Sequence, residues 1–189
     1  MNAEAYQAIL DRRSASAKFL VEPGPSAEER ERILLAGSRA PDHGRLAPFR
    51  FVTIANREAF ADVLERAARQ EAPGQAETEI ERAREKAFQG PWLVALIGRI
   101  DPAHPKITAS DQWLSVGCAL ENIVLSIQAL GYAAAIRSGR YLESDAVREA
   151  FRLGPDEWFT CFIAVGTATE MPPAKPKPLL AQISTVWTG

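Results

Sequence analysis

The chain has 189 residues, enough for one domain with a substantial core and too few for two of ordinary size. Its 22 Lys+Arg against 24 Asp+Glu leave a formal charge of −2, so no electrostatic excess drives it toward nucleic acid or an anionic membrane. With 47% hydrophobic and 24% charged residues, the composition is that of an ordinary globular protein and excludes a disordered chain.

Residues 4–12 (EAYQAILDR) set Tyr6, Ile9 and Leu10 at helical spacing, and the RRSASAKF that follows loses the period, so a helix gives way to a loop. The start, MNAEAYQAILDRR, lacks the basic, apolar and small-residue regions of a secretory signal, which makes cytoplasmic residence the default expectation. Ser26 stands three residues before Glu29 in a capping box, Ile33, Leu34 and Gly37 share a face, and Pro41 stops the run: a helix over 26–40. RFVTIA (50–55) alternates as a strand does. Phe60, Val63, Leu64, Ala67 and Ala68 then form a helical stripe that fades into QEAPGQAE.

The segment 76–88 is charged nearly all round and predicts a solvated helix covering something mobile. WLVALIGRI (92–100), bounded by Pro91 and Pro102, predicts a strand buried on both faces. Neither it nor Phe159–Val165 approaches the ~20 residues needed to cross a bilayer. The longest helix is predicted at about 110–130, where Trp113, Val116, Gly117, Leu120, Ile123, Val124, Ile127 and Leu130 make one broad face that ends at a Gly131 cap. Such a face suits a central or interfacial helix.

YAAAIRSG (132–139) reads as a short strand, 144–151 as a short helix opened by Ser144, and WFTCFIAVGTAT (158–169) as a second buried strand. The tail from Glu170 carries four of the 13 prolines and must run extended through its first half, whereas its finish, LLAQISTVW, predicts an arm that packs on a partner. Helices and strands intersperse without repeated βαβ spacing, and no G-x-G-x-x-G follows a strand, so the expected class is α+β in a single domain, 1–189. Cys118 and Cys161 form no CxxC pair and sit in apolar segments, as reduced, packed thiols do.

The two histidines, His43 and His104, lie in loops without Cys or carboxylate at ligand spacing, so no metal site is expected. Neither a G-x-S-x-G elbow nor a GxxxxGK[ST] loop is present, which argues against serine hydrolysis and P-loop phosphoryl transfer. What remains is a set of cations at element boundaries: Arg12 and Arg13 with Ser14, Arg39 with His43, and Arg137 with Ser138. Arginine pairs bidentately with phosphate and hydroxyls add neutral donors, so the constellation points to a phosphate-bearing ligand. Taken singly, each arginine also fits an ordinary surface cation.

The run RRSASAKF, the segment SRAPDHGRLAPFRFVTI, the block GCALENIVLSIQALGYAAAIRSG and the late strand FIAVGTA resemble the nitroreductase family of flavin enzymes, nearest to its small bacterial NAD(P)H nitroreductase branch, along nearly the whole chain. The resemblance implies a nitroreductase-like fold with a mostly antiparallel sheet flanked by helices. It also implies FMN at a homodimer interface, an extended arm (170–189) exchanged between protomers, and NADH or NADPH as electron donor. Electrons would pass to nitroaromatic or quinone-type acceptors in a ping-pong cycle.

Matching positions assign Arg12, Arg13 and Ser14 to the phosphate and ribityl part of FMN, Arg39 and His43 to the partner's FMN, and Ile136, Arg137 and Ser138 to the flavin ring. They also assign nicotinamide contact to Ser126, Ile127, Gln128, Ala129, Leu130 and Gly131, a stretch that reads equally as the apolar end of the long helix. No side chain is assigned acid–base or nucleophilic work, since flavin is the redox centre. The broad face around Trp113 is assigned to dimer core.

Two departures from the wider family stand out. Ala47-Pro48-Phe49 replaces a common Gln-Pro-Trp, and the stretch 70–90 is short where longer relatives cover the flavin, which implies an open site. An alternative is a flavin-binding or flavin-handling protein of the same fold with little acceptor turnover.

Overall fold

The computed structural model describes residues 3–174 and 176–189; Met1, Asn2 and Lys175 lie outside the described residues. The two apolar runs pair with each other. Strands β3 (Trp92–Arg99) and β5 (Glu157–Ala168) are antiparallel, with Trp92 opposite Val165 and Arg99 opposite Glu157. Every residue of β3 except Arg99 is buried. Helices cover both sheet faces, so the strand shows no alternation of polar and apolar positions.

β2 (Phe49–Thr53) borders β3, β4 (Ala133–Arg137) borders β5, and β1 (Leu20–Val21) pairs with the last two residues of β5. All these pairings are antiparallel, and the fold is the expected α+β class.

On one sheet face lie α2 (Ala27–Gly37) and α5 (Ala109–Ala129), which close a core of Ile33, Trp92, Leu96, Ile123, Ile127 and Ile163. On the other lie α3 (Arg57–Glu71) and α6 (Asp145–Ala150), over Phe60, Leu64, Leu93, Ile97 and Phe162. The helix α1 (Ala3–Asp11) packs on α5.

Local sequence explains the ends. Ser26 Oγ accepts from Glu29 N while the Glu29 carboxylate accepts from Ser26 N, the capping box read from the sequence. The helix stops at Gly37, short of the expected residue 40, because the chain turns there to pass beneath its neighbours. A Cβ on Gly37 would lie 2.8 Å from both Ile123 and Phe51. Thr108 and Asp111 open α5 with a second capping box. Gly131, at φ +84°, closes it in a Schellman turn: Gly131 N donates to Gln128 O and Tyr132 N to Ile127 O.

Three expectations are corrected. The charged segment forms α4 (Glu77–Glu85), but it covers α3 and nothing mobile: Ile80 and Ala83 bury against Ala68, and Arg84 bonds Asp62 and Glu58. Ser144 precedes α6 without capping it, since its hydroxyl is buried with no partner. In its place Gln70 Oε1 on α3 accepts from Ala146 N. The tail is not extended throughout, because Leu180–Ile183 forms a short helix, α7.

The apolar end of that tail stands exposed in the single chain. Leu179, Leu180, Ile183, Val186 and Trp187 are each at least 68% exposed. Among the described residues, no helix is long and apolar enough to cross a membrane.

Candidate functional site

The loop after α1 is tied to the edge of the sheet by one backbone bond, Ala15 N to Ala134 O at 2.9 Å. This bond shows which way β4 faces. Ala134 turns its carbonyl away from β5, and backbone direction alternates along an antiparallel strand, so Ile136 also turns its N–H and C=O outward. Two residues beyond the tie, the edge of β4 therefore offers a backbone donor and acceptor that no strand takes up. Ile136 itself is 38% exposed.

Arg12, Arg13, Ser14 and Ser16 line a cavity of about 770 Å³, closed on its other side by Pro172, Pro173 and Lys177 of the tail. Its cations are loosely committed. Arg12 lies 3.6 Å from Glu121 and 3.5 Å from Ser14 Oγ, and Arg13 donates to Pro172 O at 3.5 Å. A smaller cavity of about 370 Å³ shares Asp11 and Arg13 with the first and reaches Gln128, Gly131 and Tyr132.

The segment Ser126–Gly131 is divided by its helical setting. Ile127 is fully buried, Ser126 Oγ donates back to Ile123 O, and Gln128 Nε2 donates to Ala8 O. Ala129 is exposed, and Leu130 is the helix cap. Of the six, Ile127, Gln128 and Gly131 line the smaller cavity.

Arg39 and His43 lie elsewhere. Arg39 is exposed beyond the end of α2, and its side chain has no partner among the described residues. His43 Nδ1 lies 4.0 Å from Asp111 in the first turn of α5, whereas Arg12 meets α5 at Glu121. At about 1.5 Å of rise per residue, these contacts are ~15 Å apart along the helix. The chain thus holds its expected site residues in two groups.

The loop bearing His43 is strained. Gly44, Arg45 and Ala47 have φ of +79°, +58° and +46°, and a Cβ on Gly44 would lie 2.0 Å from Ile107. Left-handed non-glycine residues cost of order 1 kcal/mol each and gather at functional positions. Asp42 pins the loop by accepting from Ala47 N at 2.7 Å with one carboxylate oxygen, while its other oxygen is buried without a partner. Phe49, after the Ala-Pro step, turns inward against Phe51, with ring centroids 5.5 Å apart.

At the end of β4 the side chains of Ile136 and Arg137 part. Ser138 is exposed. Arg137 leans toward the turn before β3, donating Nη2 to Gln89 Oε1, while its Nε is buried with no acceptor. Lys86 and Tyr141 complete that corner, with Lys86 Nζ 4.5 Å from the Tyr141 ring centroid. Burial raises the Tyr141 phenol to a pKa of about 12, keeping it protonated, with Arg137 opposing that rise.

Lys177, Lys86 and Gln89 escaped the sequence reading. Only the Pro-Lys alternation of the tail hinted at the first, and nothing local in the charged run marked the others.

Neither cysteine lines either cavity. Both are free, and burial pushes the Cys161 thiol up to about 12. Trp113 packs edge-on against Trp158 at 6.1 Å and lines neither cavity. The helix α4 likewise lines neither of them.

The sequence signature of the Nitroreductase family matches residues 9–167, and the chain belongs to that family. It is 36% identical to YdjA of Escherichia coli (strain K12), named "Putative NAD(P)H nitroreductase", over 87% of this chain and 88% of that protein. A Haemophilus influenzae protein of the same name is 34% identical over 82% and 84%. The fold matches the crystal structure of a nitroreductase-like family protein from Bacillus cereus, with a TM-score of 0.83, 14% identity and 100% and 98% of the two chains covered. It also matches a variant of an FMN- and NADPH-dependent nitroreductase, NfnB, with a TM-score of 0.70, 22% identity and 98% and 99% coverage.

Proposed function

We propose that this protein is an FMN-dependent oxidoreductase that takes electrons from NADH or NADPH and passes them to nitroaromatic or quinone-type acceptors. The observation that carries the reading is the cationic cavity of Arg12, Arg13, Ser14 and Lys177 beside the unpaired edge of β4. Its donor set fits the cofactor from end to end. Under-committed guanidinium groups and hydroxyls suit a phosphate, and the outward N–H and C=O of Ile136 suit the hydrogen-bonding rim of a flavin ring. The spacing also agrees: at about 3.3 Å per residue, Ser138 lies ~13 Å along β4 from Ala134, so phosphate and ring contacts fall at opposite ends of one edge.

In this reading Arg12, Arg13 and Ser14 hold the phosphate end, and Ile136, Arg137 and Ser138 border the ring. Bound FMN supplies the hydride chemistry, while the protein binds, orients and tunes. Gln128 and Gly131, on the wall of the adjoining cavity, are the accessible part of the Ser126–Gly131 nicotinamide segment. Donor and acceptor take turns in one pocket, giving ping-pong kinetics.

A homodimer completes the site. Arg39 and His43, ~15 Å along α5 from the Arg12 contact, serve the partner's flavin, and the apolar tail finds its cover on the partner. With α4 folded onto α3, that helix lines neither cavity, and the pocket is open to acceptors of several shapes.

The test is an absorbance spectrum of the purified protein followed by anaerobic addition of NADH or NADPH. A flavin spectrum that bleaches is expected. A flavin that stays oxidised supports a flavin-handling protein instead, and failure to take up supplied FMN overturns the reading.

A further inference from the structure

The loop that carries His43 holds three left-handed residues, Gly44, Arg45 and Ala47, and such a run persists only where its surroundings over-determine it. From within, the Asp42 carboxylate holds Ala47 N. At the far end, Pro48 O accepts from Arg99 N of β3 at 2.9 Å. The middle of the loop is held by the turn before α5. Ile107 is buried there, so close to Gly44 that a Cβ on that glycine would collide with Ile107 Cδ1.

Ile107 is set in its turn by His104. The imidazole Nδ1 accepts from Ile107 N at 2.9 Å and from Lys106 N at 3.3 Å. Accepting the N–H groups two and three residues ahead is what an Asn or Asp oxygen does in a side-chain-capped turn, and here a ring nitrogen takes that place. Two donors on Nδ1 put the imidazole proton on Nε2.

Two residues of α5 join this turn to the helix. Gln112, buried, accepts from Asp101 N through Oε1 and donates through Nε2 to Asp101 O and Ile107 O, at 2.9 and 3.3 Å. Asp111 closes the Thr108 cap and lies 4.0 Å from His43 Nδ1. Residues 104–111 thus meet the strained loop twice, once by packing at Gly44 and once through Asp111 at His43.

We propose that His104 is a positioning residue: by fixing Ile107 against Gly44, it holds the loop in the form that presents His43. The inference rests on the reading above in which His43 serves the partner's flavin. His104 itself lines neither cavity, so its influence runs through Ile107 and the loop.

The test is a double-mutant cycle between His104 and His43, read by FMN titration of the full-length protein. His104→Ala is expected to weaken FMN about fivefold, the effect of the one hydrogen bond His43 contributes, and to add nothing once His43→Ala is present. His104→Asn, whose Oδ1 can accept the same two N–H groups, should restore the affinity. Amide exchange supplies a readout that needs no flavin: Ala47 N–H should exchange faster in His104→Ala and return to the parent rate in His104→Asn.

Additive losses in the double variant overturn the positioning role, as does an FMN affinity left unchanged by His104→Ala while His43→Ala weakens it. A loss in His104→Asn as large as in His104→Ala, or unchanged exchange at Ala47, overturns it too. If His43→Ala binds FMN as the parent does, the underlying reading of His43 falls instead, and the exchange rates still decide whether His104 holds the loop.

Discussion

The two ends of β5 carry arginines in opposite states. At Glu157 the arginines are paired: Arg50 bonds both carboxylate oxygens, at 2.7 and 3.0 Å, and Arg99 adds a third contact at 3.1 Å. Arg148 takes the backbone carbonyls of Glu157 and Gly154 nearby. Around the other end, the side chains of Arg12 and Arg13 make contacts of 3.5 Å or longer among the described residues, and they face a cavity. The same side chain locks a fold at one pole and lines an open cavity at the other. Whether a carboxylate or carbonyl of the protein lies within reach decides between the two roles.

The largest expected effect follows at the open pole. Replacing Arg12 and Arg13 together with Ala should weaken FMN by roughly 3–6 kcal/mol, at 1.5–3 kcal/mol for each charged hydrogen bond lost. Riboflavin, which lacks the phosphate, should lose far less. Flavin titration of the apoprotein measures both, and equal losses would remove the phosphate assignment. Thermal stability should change little, because these two arginines do not hold the core together.

The closed pole should behave in reverse. Glu157→Gln is expected to cost about 2 kcal/mol of stability, since a buried-edge carboxylate accepting charged bonds is replaced by an amide. The flavin affinity of the variant should match that of the parent. The Arg50 guanidinium is the largest influence holding the Glu157 carboxyl down to about 2. A folded pKa below the unfolded value means stability present above about pH 4.3, the ordinary glutamate value, and lost as pH falls toward 2. Acid unfolding of the parent and of Glu157→Gln should therefore diverge above that window and converge below it. Parallel curves would show that the pair contributes nothing to acid stability.

This contrast also explains what the sequence disclosed. Elements written in short-range code were legible: the Ser26–Glu29 box, the Gly131 cap, and the continuous apolar runs of β3 and β5. The cations at element ends were legible as candidates, because Arg12–Ser14 and Arg137 stand where regular structure stops. Which of them are committed was not. Arg50 meets Glu157 across 107 positions, Arg13 meets Pro172 across 159, and Arg137 meets Gln89 across 48. Such pairings depend on tertiary packing and leave no periodic trace. The charge of α4 misled for the same reason, since its apolar stripe is only Ile80 and Ala83 and its partner is a neighbouring helix.

The smallest expected effect sharpens the comparison at its most distant point. His43 is exposed, ~15 Å along α5 from the Arg12 contact, and its partner among the described residues is Asp111 at 4.0 Å. If it serves only its own chain, His43→Ala should leave flavin binding untouched. If it reaches the partner's flavin, the variant should lose about 1 kcal/mol of FMN affinity, one hydrogen bond, while remaining a dimer by light scattering. Mixed dimers separate the two cases. One protomer carrying His43→Ala and the other carrying Arg12→Ala with Arg13→Ala should keep one intact site when each flavin takes the arginines of one protomer and the histidine of the other. Because both changes then fall on the same flavin, the other site retains full affinity, giving half-stoichiometric tight binding. Two unequally impaired sites, one weaker by about 1 kcal/mol and the other by roughly 3–6 kcal/mol, would place His43 and the arginines on one chain's own cofactor.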